Sequence, residues 1–282
     1  MKNAAIFKII VWSLVTVFLI GFMITIAVSG GGFGGMPFSF DLSRIGGEVE
    51  LVREQEFSAD EIESLNLKWA SASVYISPTD GDKIIVTEKS SGNMEEDELL
   101  QISERDGTLF MEQGTQRRRF FIFNFGRRVV NEIRLPEKDY DKIITRLTSG
   151  KIEMNDLVFE TVDAEMTSGL LDFRGLSSEN IIIDITSGKA EISGSFSDIN
   201  AKMTSGLLDI ETDTAPENLR VDLTSGKGIV TIPDNEGFIV GVNKTSGVFS
   251  TNFNLDDFNR YGTAERQYSI KMTSGKVELL KK

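Results

Sequence analysis

The sequence contains no cysteine and no histidine among its 282 residues. Without cysteine there are no disulfides, no thiolate nucleophile, no cysteine-based zinc or iron–sulfur site and no lipidated cysteine. Without histidine the chain lacks the usual general base and the commonest metal ligand. An enzyme built from this chain would have to resemble a glycosidase or lyase that works with Asp, Glu or Arg. We therefore expect no cofactor and no bound metal.

Positive charge is also scarce, because 30 Lys and Arg residues stand against 43 Asp and Glu residues. The formal net charge is -13, and the isoelectric point is near 4.7. Such a chain lacks the general basic field that holds DNA or RNA, so we expect no nucleic-acid partner. A hydrophobic content of 40% is enough for a folded core and argues against disorder of the whole chain.

An uncharged apolar run extends from residue 9 to residue 28. As a helix rising about 1.5 Å per residue, it would span about 30 Å, the thickness of the hydrocarbon core of a bilayer. Lys2 and Lys8 precede the run, and the next Lys or Arg is Arg44. The positive-inside rule then predicts a cytoplasmic tail at residues 1–8, a single transmembrane anchor at residues 9–28, and an extracytoplasmic remainder.

A cleaved signal peptide is the alternative, because Ala27 and Ser29 are small residues at suitable positions for cleavage after Ser29. The run is long for that role, since the apolar part of a signal peptide has roughly 7 to 15 residues. Residues 29–47 hold seven glycines and show no helical or strand period, which predicts a flexible spacer. Under either alternative, residues 48–282 form the domain outside the cytoplasm.

The triplet Thr-Ser-Gly occurs seven times between residues 148 and 275, at intervals of 18 to 28 residues. Counted from each Thr as zero, apolar residues recur at -5, -3 and -1 and again at +4 and +6 in most copies. A period of two indicates strands with one buried face. The buried parity changes across the triplet, so the backbone must slip at Ser-Gly, which requires a corner or bulge and a residue without Cβ. The glycines at these corners are Gly150, Gly169, Gly188, Gly206, Gly226, Gly247 and Gly275.

Each unit of about 20 residues is too small to bury its own apolar face, so the units must stack. We therefore predict an all-β fold, a β-solenoid (parallel β-helix) that is regular over residues 143–282. An antiparallel meander is the alternative, although the chain lacks the Asn-Gly turns typical of hairpins. A degenerate copy at Ala70-Ser71-Ala72 opens the domain, and strands at 83–88, 107–113 and 129–135 are interpreted as irregular early coils. Residues 58–63 predict a short helix that closes the open end.

The Thr-Ser-Gly-Lys units, the single N-terminal apolar segment and the passage IRLPEKDYDKIITRLTSGKIEM at 133–154 resemble a bacterial family. This family comprises β-strand-repeat domains of unknown function catalogued as "putative adhesins", and the resemblance covers roughly residues 60 to 282. It implies a membrane-anchored, β-helical cell-surface domain, in some members encoded beside envelope-stress regulators. The resemblance carries no known catalytic residues to transfer.

The outward positions +3 and +5 hold Lys in four copies and a carboxylate in five copies, respectively. Stacked carboxylates repel unless neighbouring Lys residues compensate them, so this pattern indicates a charge-compensated sheet face. The alternative is a specific site, in which a calcium ion binds between the carboxylates of adjacent rungs. The exposed hydroxyls of the triplets suggest an ice-binding array or nucleophiles. We favour instead a ladder of Ser hydrogen bonds that satisfies backbone groups at the bend.

Two segments are candidate binding surfaces. The sequence RRRFFIFNFGRR at 117–128 concentrates five Arg and four Phe in an acidic protein, which suits phosphate-rich polymers, anionic lipid headgroups or an acidic partner. A hairpin whose Phe120 and Ile122 cover the solenoid is the alternative. The insertion at 252–267 lengthens the last repeat and is expected to expose aromatic residues. The candidate binding residues are Arg117, Arg118, Arg119, Phe121, Phe123, Arg127, Arg128, Phe253, Phe258 and Tyr261.

The sequence thus predicts a non-catalytic, membrane-anchored cell-surface β-solenoid that acts in adhesion, envelope binding or envelope-stress sensing. Its expected partners are the membrane and an anionic envelope polymer, lipid or surface protein. A polysaccharide-active lyase or hydrolase that uses Asp or Arg is the alternative, and it would need carboxylates from different coils to converge in a groove. A rigid spacer is a third interpretation.

Overall fold

The computed structural model describes residues 48–114 and 127–282. Residues from Gly46 to Lys282 form one structural unit, whose described part contains fifteen strands of a single sheet. The predicted all-β class is confirmed. The predicted tail, anchor and spacer (residues 1–47) lie outside the described residues, as do residues 115–126. Within the described ranges, no helix is long and apolar enough to cross a membrane.

Within residues 48–114 and 127–282 the strands are joined by turns and loops and by one 3-10 helix, at Glu96–Glu98. The strands are β1 (Glu50–Ser58), β2 (Ser64–Thr79), β3 (Lys83–Ser90), β4 (Leu100–Arg105), β5 (Thr108–Gln113), β6 (Val129–Pro136), β7 (Tyr140–Asn155), β8 (Val158–Thr212), β9 (Asn218–Leu223), β10 (Lys227–Ile232), β11 (Gly237–Lys244), β12 (Val248–Thr251), β13 (Arg260–Gly262), β14 (Arg266–Met272) and β15 (Lys276–Lys281).

The repeats stack as parallel rungs in the register that the triplets predict. Ser149 of β7 lies between Ser71 of β2 and Ser168 of β8, so equivalent residues form ladders. Three triplets fall inside β8, which continues for 55 residues because its corners also remain in the ladder. The inward positions are buried throughout most of this stack. The degenerate first copy is confirmed, because Trp69 lies beside Leu147.

The corner prediction is confirmed at the glycines. Gly188 has a φ of +126°, and a Cβ built on it would lie 2.1 Å from the carbonyl oxygen of Gly169 in the neighbouring rung. The other triplet glycines have positive φ values and a similar close approach to the adjacent backbone. Glycine is therefore required at the corner for two reasons, its backbone conformation and the tight stacking of the rungs.

The N-terminal end differs from the predicted early coils and helix. The predicted strands exist as β3, β5 and β6, but β3 runs antiparallel to both β1 and β6, and β4 runs antiparallel to β5. The predicted helix at 58–63 is wrong: the chain makes a bend and a turn, in which the Asp60 N–H donates to the Ser58 hydroxyl at 3.4 Å. Burial of Ala59 and Ile62 holds this turn against the core.

The last two repeats stack out of chain order. β14 lies between β9 and β11, and β15 lies between β10 and β12, so the final copy is inserted before the preceding one. The physical reason is the residue at position -1, which is buried Met272 in the final copy and exposed Lys244 in the preceding one. A lysine is costly to bury between two rungs, so the copy that carries it becomes the end of the stack.

Candidate binding surfaces

The outward +3 and +5 ladders are neutralised by ion pairs between neighbouring side chains. Arg174 donates two hydrogen bonds to Asp172, both of 2.8 Å. Lys227 and Lys276 bind Glu278 at 2.8 and 2.7 Å and hold the pKa of that carboxyl below its usual value of 4.5. The hydrogen bond from Lys151 likewise lowers the pKa of Glu153. The charge-compensated face is thus confirmed.

Asp209 is the exception in the acidic ladder. It is half-buried, and its carboxylate makes no hydrogen bond or ion pair within the described ranges. Burial, followed by the nearby charge of Glu191, raises the pKa of Asp209 above its usual 3.8. In the described part of the chain, no group of three or more acidic side chains is arranged to hold a metal ion, so the calcium alternative has no site there.

The predicted ladder of Ser side-chain hydrogen bonds is wrong. The triplet Ser side chains are exposed, and their hydroxyls make no hydrogen bond within residues 48–114 and 127–282. Main-chain pairing between rungs satisfies the bend instead, as where the N–H of Ser225 donates to the carbonyl of Thr204 at 2.8 Å. Because the backbone ladder continues through the corner, the hydroxyls remain free to face water.

The Arg-Phe segment is described only at its C-terminal end, since Arg117, Arg118, Arg119, Phe121 and Phe123 lie outside the described residues.

The Arg127 guanidinium donates to both carboxylate oxygens of Glu98, at 2.8 and 3.1 Å, and also to the carbonyl of Asn93. Its side chain is only 15% exposed. Arg128 is exposed, while its main-chain N–H donates to the Ser91 hydroxyl at 3.0 Å. Arg127 is therefore committed to the fold, whereas Arg128 is available to a ligand.

The insertion exposes one of its three candidate aromatic residues. Phe253 is only 5% exposed and packs edge-on against Phe238, with ring centroids 5.0 Å apart, so its assignment to the binding surface is wrong. Tyr261 is half-buried and donates its hydroxyl to Asp234 at 2.6 Å. Phe258 is 69% exposed, with the Arg260 guanidinium 5.0 Å from its ring centre. Phe238 of β11 is itself fully buried, and the contact with it holds the Phe253 side chain in the core.

A groove of about 720 Å³ crosses successive rungs of the stack at the segments that precede position -5 of each repeat. Carboxylates from three successive coils line it, and none of them forms an ion pair with a described Lys or Arg. The repeat pattern did not predict this surface, because these residues lie outside the positions -5 to +6 over which the apolar alternation recurs. The lining carboxylates and aliphatic hydroxyls are Asp139, Asp141, Glu160, Glu179, Ser177, Ser178, Ser195, Ser197 and Thr214.

The repeats also match a known family model. The model, described as Toastrack DUF4097, matches residues 62–173 and again residues 156–280. The chain belongs to the Toastrack family. The family resemblance that the sequence predicts is confirmed, and the two overlapping matches agree with one continuous stack of Toastrack repeats.

Comparison with solved structures finds similar chains at low sequence identity. A "putative adhesin" from Bacteroides fragilis is 13% identical, with a TM-score of 0.51, over 82% of this Toastrack chain and 97% of that chain. A "putative cell adhesion protein" from Clostridium sporogenes is 16% identical, with a TM-score of 0.45, over 83% of this chain and 100% of that one. The comparison with curated proteins found no match.

The C-terminal end of the Toastrack stack is a surface that periodicity did not reveal. Its outermost rung exposes Lys244 and Val248, and β13 covers only the first residues of β11. Lys244 was the available signal, because it is the only triplet neighbour at position -1 that is not apolar.

Proposed function

We propose that this Toastrack chain is a non-catalytic binding protein of the bacterial cell surface, acting in adhesion, envelope binding or envelope-stress sensing. Residues 9–28 anchor it in the cytoplasmic membrane, with residues 1–8 inside the cell and the stack outside. The observation that carries the proposal is the pairing of charges along the ladders, which makes the stack a rigid support with neutralised faces.

The paired carboxylates are poorly suited to acid–base chemistry. A general acid or base must exchange a proton near the working pH. The Lys partners of Glu153 and Glu278 lower the pKa of each carboxyl, so both remain ionised and bound to their partners. Such pairs support a scaffold better than a reaction centre.

The ligand of this proposal is an anionic envelope component that binds the Arg-rich segment. The net charge of -13 repels anionic polymers, so attachment requires a local cluster of cations acting within about 8 Å, the Debye length at physiological salt. Arg127 holds the end of the segment on the 3-10 helix through Glu98. The contacts are therefore assigned to Arg117, Arg118, Arg119 and Arg128, together with Phe121 and Phe123, which are close to them in the sequence.

The test measures binding of the chain to phosphatidylglycerol vesicles and to purified anionic cell-wall polymer at rising salt. Replacing Arg117, Arg118, Arg119 and Arg128 with Gln should abolish the salt-dependent binding and leave the melting temperature unchanged. The matched control replaces four exposed lysines elsewhere with Gln (Lys68, Lys83, Lys202 and Lys271), which changes the net charge equally. Equal binding by both variants, or no binding by the wild-type chain at low salt, contradicts the proposal.

Arg127→Gln provides a second control, because its expected effect is on folding. The paired guanidinium is mostly buried, and losing hydrogen bonds to a charged group costs about 1.5 to 3 kcal/mol of unfolding free energy. A variant that melts earlier but binds anionic vesicles normally separates the structural Arg from the ligand-binding ones.

The groove favours the second candidate function, a polysaccharide-active lyase or hydrolase. Its carboxylates converge from different coils, as such an enzyme requires. Incubation with purified cell-wall polysaccharides and assay for new reducing or unsaturated ends tests this candidate. Turnover that is lost in the Asp139→Asn, Asp141→Asn, Glu160→Gln and Glu179→Gln variants would establish it and refute the non-catalytic proposal.

A further inference from the structure

The C-terminal end of the stack finishes in a half-filled layer. The layer beyond β11 contains β13, which pairs antiparallel with Gly237–Ile239 only. Over the rest of the end, the outer edges of β11 and β12 have no strand partner among the described residues. We call residues 241–251 the open half of the end face. Residues 252–263, which include β13 and its pairing with the start of β11, are called the covered half.

The open half lacks the usual protection of an exposed sheet edge. Natural edges are blocked by charged residues, proline or a bulge. At the opposite end of the stack, β1 carries four charged residues among nine and a bulge between Leu51 and Arg53. The open half carries one charge, Lys244, and no proline, and it leaves Val248 55% exposed. This composition suits an edge that a partner covers.

The covered half carries chemistry complementary to the open half. Its tip presents the largely exposed Phe258 beside Asp257. The Asp257 carboxylate and the Lys244 ammonium are both exposed, and neither makes a hydrogen bond or ion pair within the described ranges. Asp256 differs, since it already accepts the main-chain N–H groups of Phe258 and Arg260 at 2.9 Å.

We propose that the C-terminal end face is a homotypic docking surface, at which two copies of this chain pack end to end about a twofold axis. An axis perpendicular both to β11 and to the stacking direction places the covered half of each copy over the open half of the other. Phe258 then meets Val248 of the second copy, and Asp257 meets its Lys244, twice in each pair. The two insertions together fill the layer that each copy alone leaves half empty.

The charges select this axis over the other twofold arrangement. Rotation about an axis parallel to β11 would oppose the two Lys244 side chains and bring the two insertions into the same space. Like charges directly opposed are unfavourable. The selected axis gives an isologous interface, the commonest kind in homo-oligomers. The inference goes beyond the proposed function and names a second copy of this chain as the partner.

The test uses the full-length chain coupled through its N-terminus to beads of two colours. The wild-type chain should form mixed-colour clusters. Lys244→Glu opposes two acidic groups at each contact, and Asp257→Lys opposes two basic groups, so each variant should reduce clustering at least about tenfold. Mixing Lys244→Glu beads with Asp257→Lys beads should restore it, because both contacts then pair opposite charges. The control Lys202→Glu lies on a side face and should cluster normally.

Absence of wild-type clusters, unchanged clustering by both variants, or no recovery in the mixture overturns the inference. Loss of fold is checked by comparing the circular dichroism melting curves of the variants. Binding of the same beads to anionic cell-wall polymer is measured in parallel. Clustering without polymer binding refutes the anionic ligand and leaves the homotypic contact standing, and polymer binding without clustering does the reverse.

Discussion

Replacing the corner glycine Gly188 with Ala should destabilise the stack strongly. The added Cβ would lie 2.1 Å from the carbonyl oxygen and 2.9 Å from the nitrogen of Gly169, and both are main-chain atoms of the adjacent rung. The φ of +126° is unfavourable for any L side chain and costs about 1 to 3 kcal/mol. Overpacking against a rigid backbone adds about 1 to 3 kcal/mol.

We therefore expect the unfolding free energy to fall by about 2 to 6 kcal/mol, with a melting temperature lower by roughly 4 to 24 °C. Urea titration and thermal melting followed by circular dichroism measure both quantities. Gly241→Ala is the matched control, because its Cβ would meet only the Tyr268 carbonyl oxygen, at 3.9 Å. If Gly188→Ala proves as stable as Gly241→Ala, the stacked-corner explanation is wrong.

Three further predictions concern the core, the acidic ladder and topology. Asn131→Val should raise the unfolding free energy by about 1 to 3 kcal/mol in urea titration, because both polar atoms of this buried amide lack a hydrogen-bond partner among the described residues; no gain would show that the amide is not left unsatisfied. Asp209→Asn should stabilise the chain at pH 7. The gain should disappear as pH falls through the raised pKa of Asp209, where the wild-type carboxyl becomes protonated in the folded state, and a pH-independent difference would exclude this cause. Protease added to intact protoplasts should remove the chain beyond Val28, and full protection would reverse the proposed orientation.

The repeat itself was determined by local sequence. Alternating apolar residues predict strands. The buried positions change from odd to even across Thr-Ser-Gly, which requires a corner at Gly188 and its equivalents. Both signals come from a few neighbouring residues, so they can be recognised without knowing which strands pack against them. The parallel register follows as well, because a unit of about 20 residues cannot bury its apolar face alone.

The sites depended more on tertiary contacts. Phe253 and Phe258 occur in the same insertion and have the same chemistry, yet one is buried against Phe238 and the other is exposed. Arg127 belongs to a run of cations in the sequence but is paired with Glu98, about 30 residues away. Only the folded chain brings these groups together. The sequence could therefore indicate which segments are candidate binding surfaces, but not which of their residues face a ligand.

The order of the rungs was also decided by tertiary structure. Every triplet copy presents the same edges, so the local pattern is nearly degenerate and allows any copy to pair with any other. Packing removes the degeneracy, because Met272 can be covered on both sides whereas Lys244 must keep its ammonium in water. The final repeat is consequently inserted before its predecessor, and the chain ends in the half-covered face rather than in a closed rung.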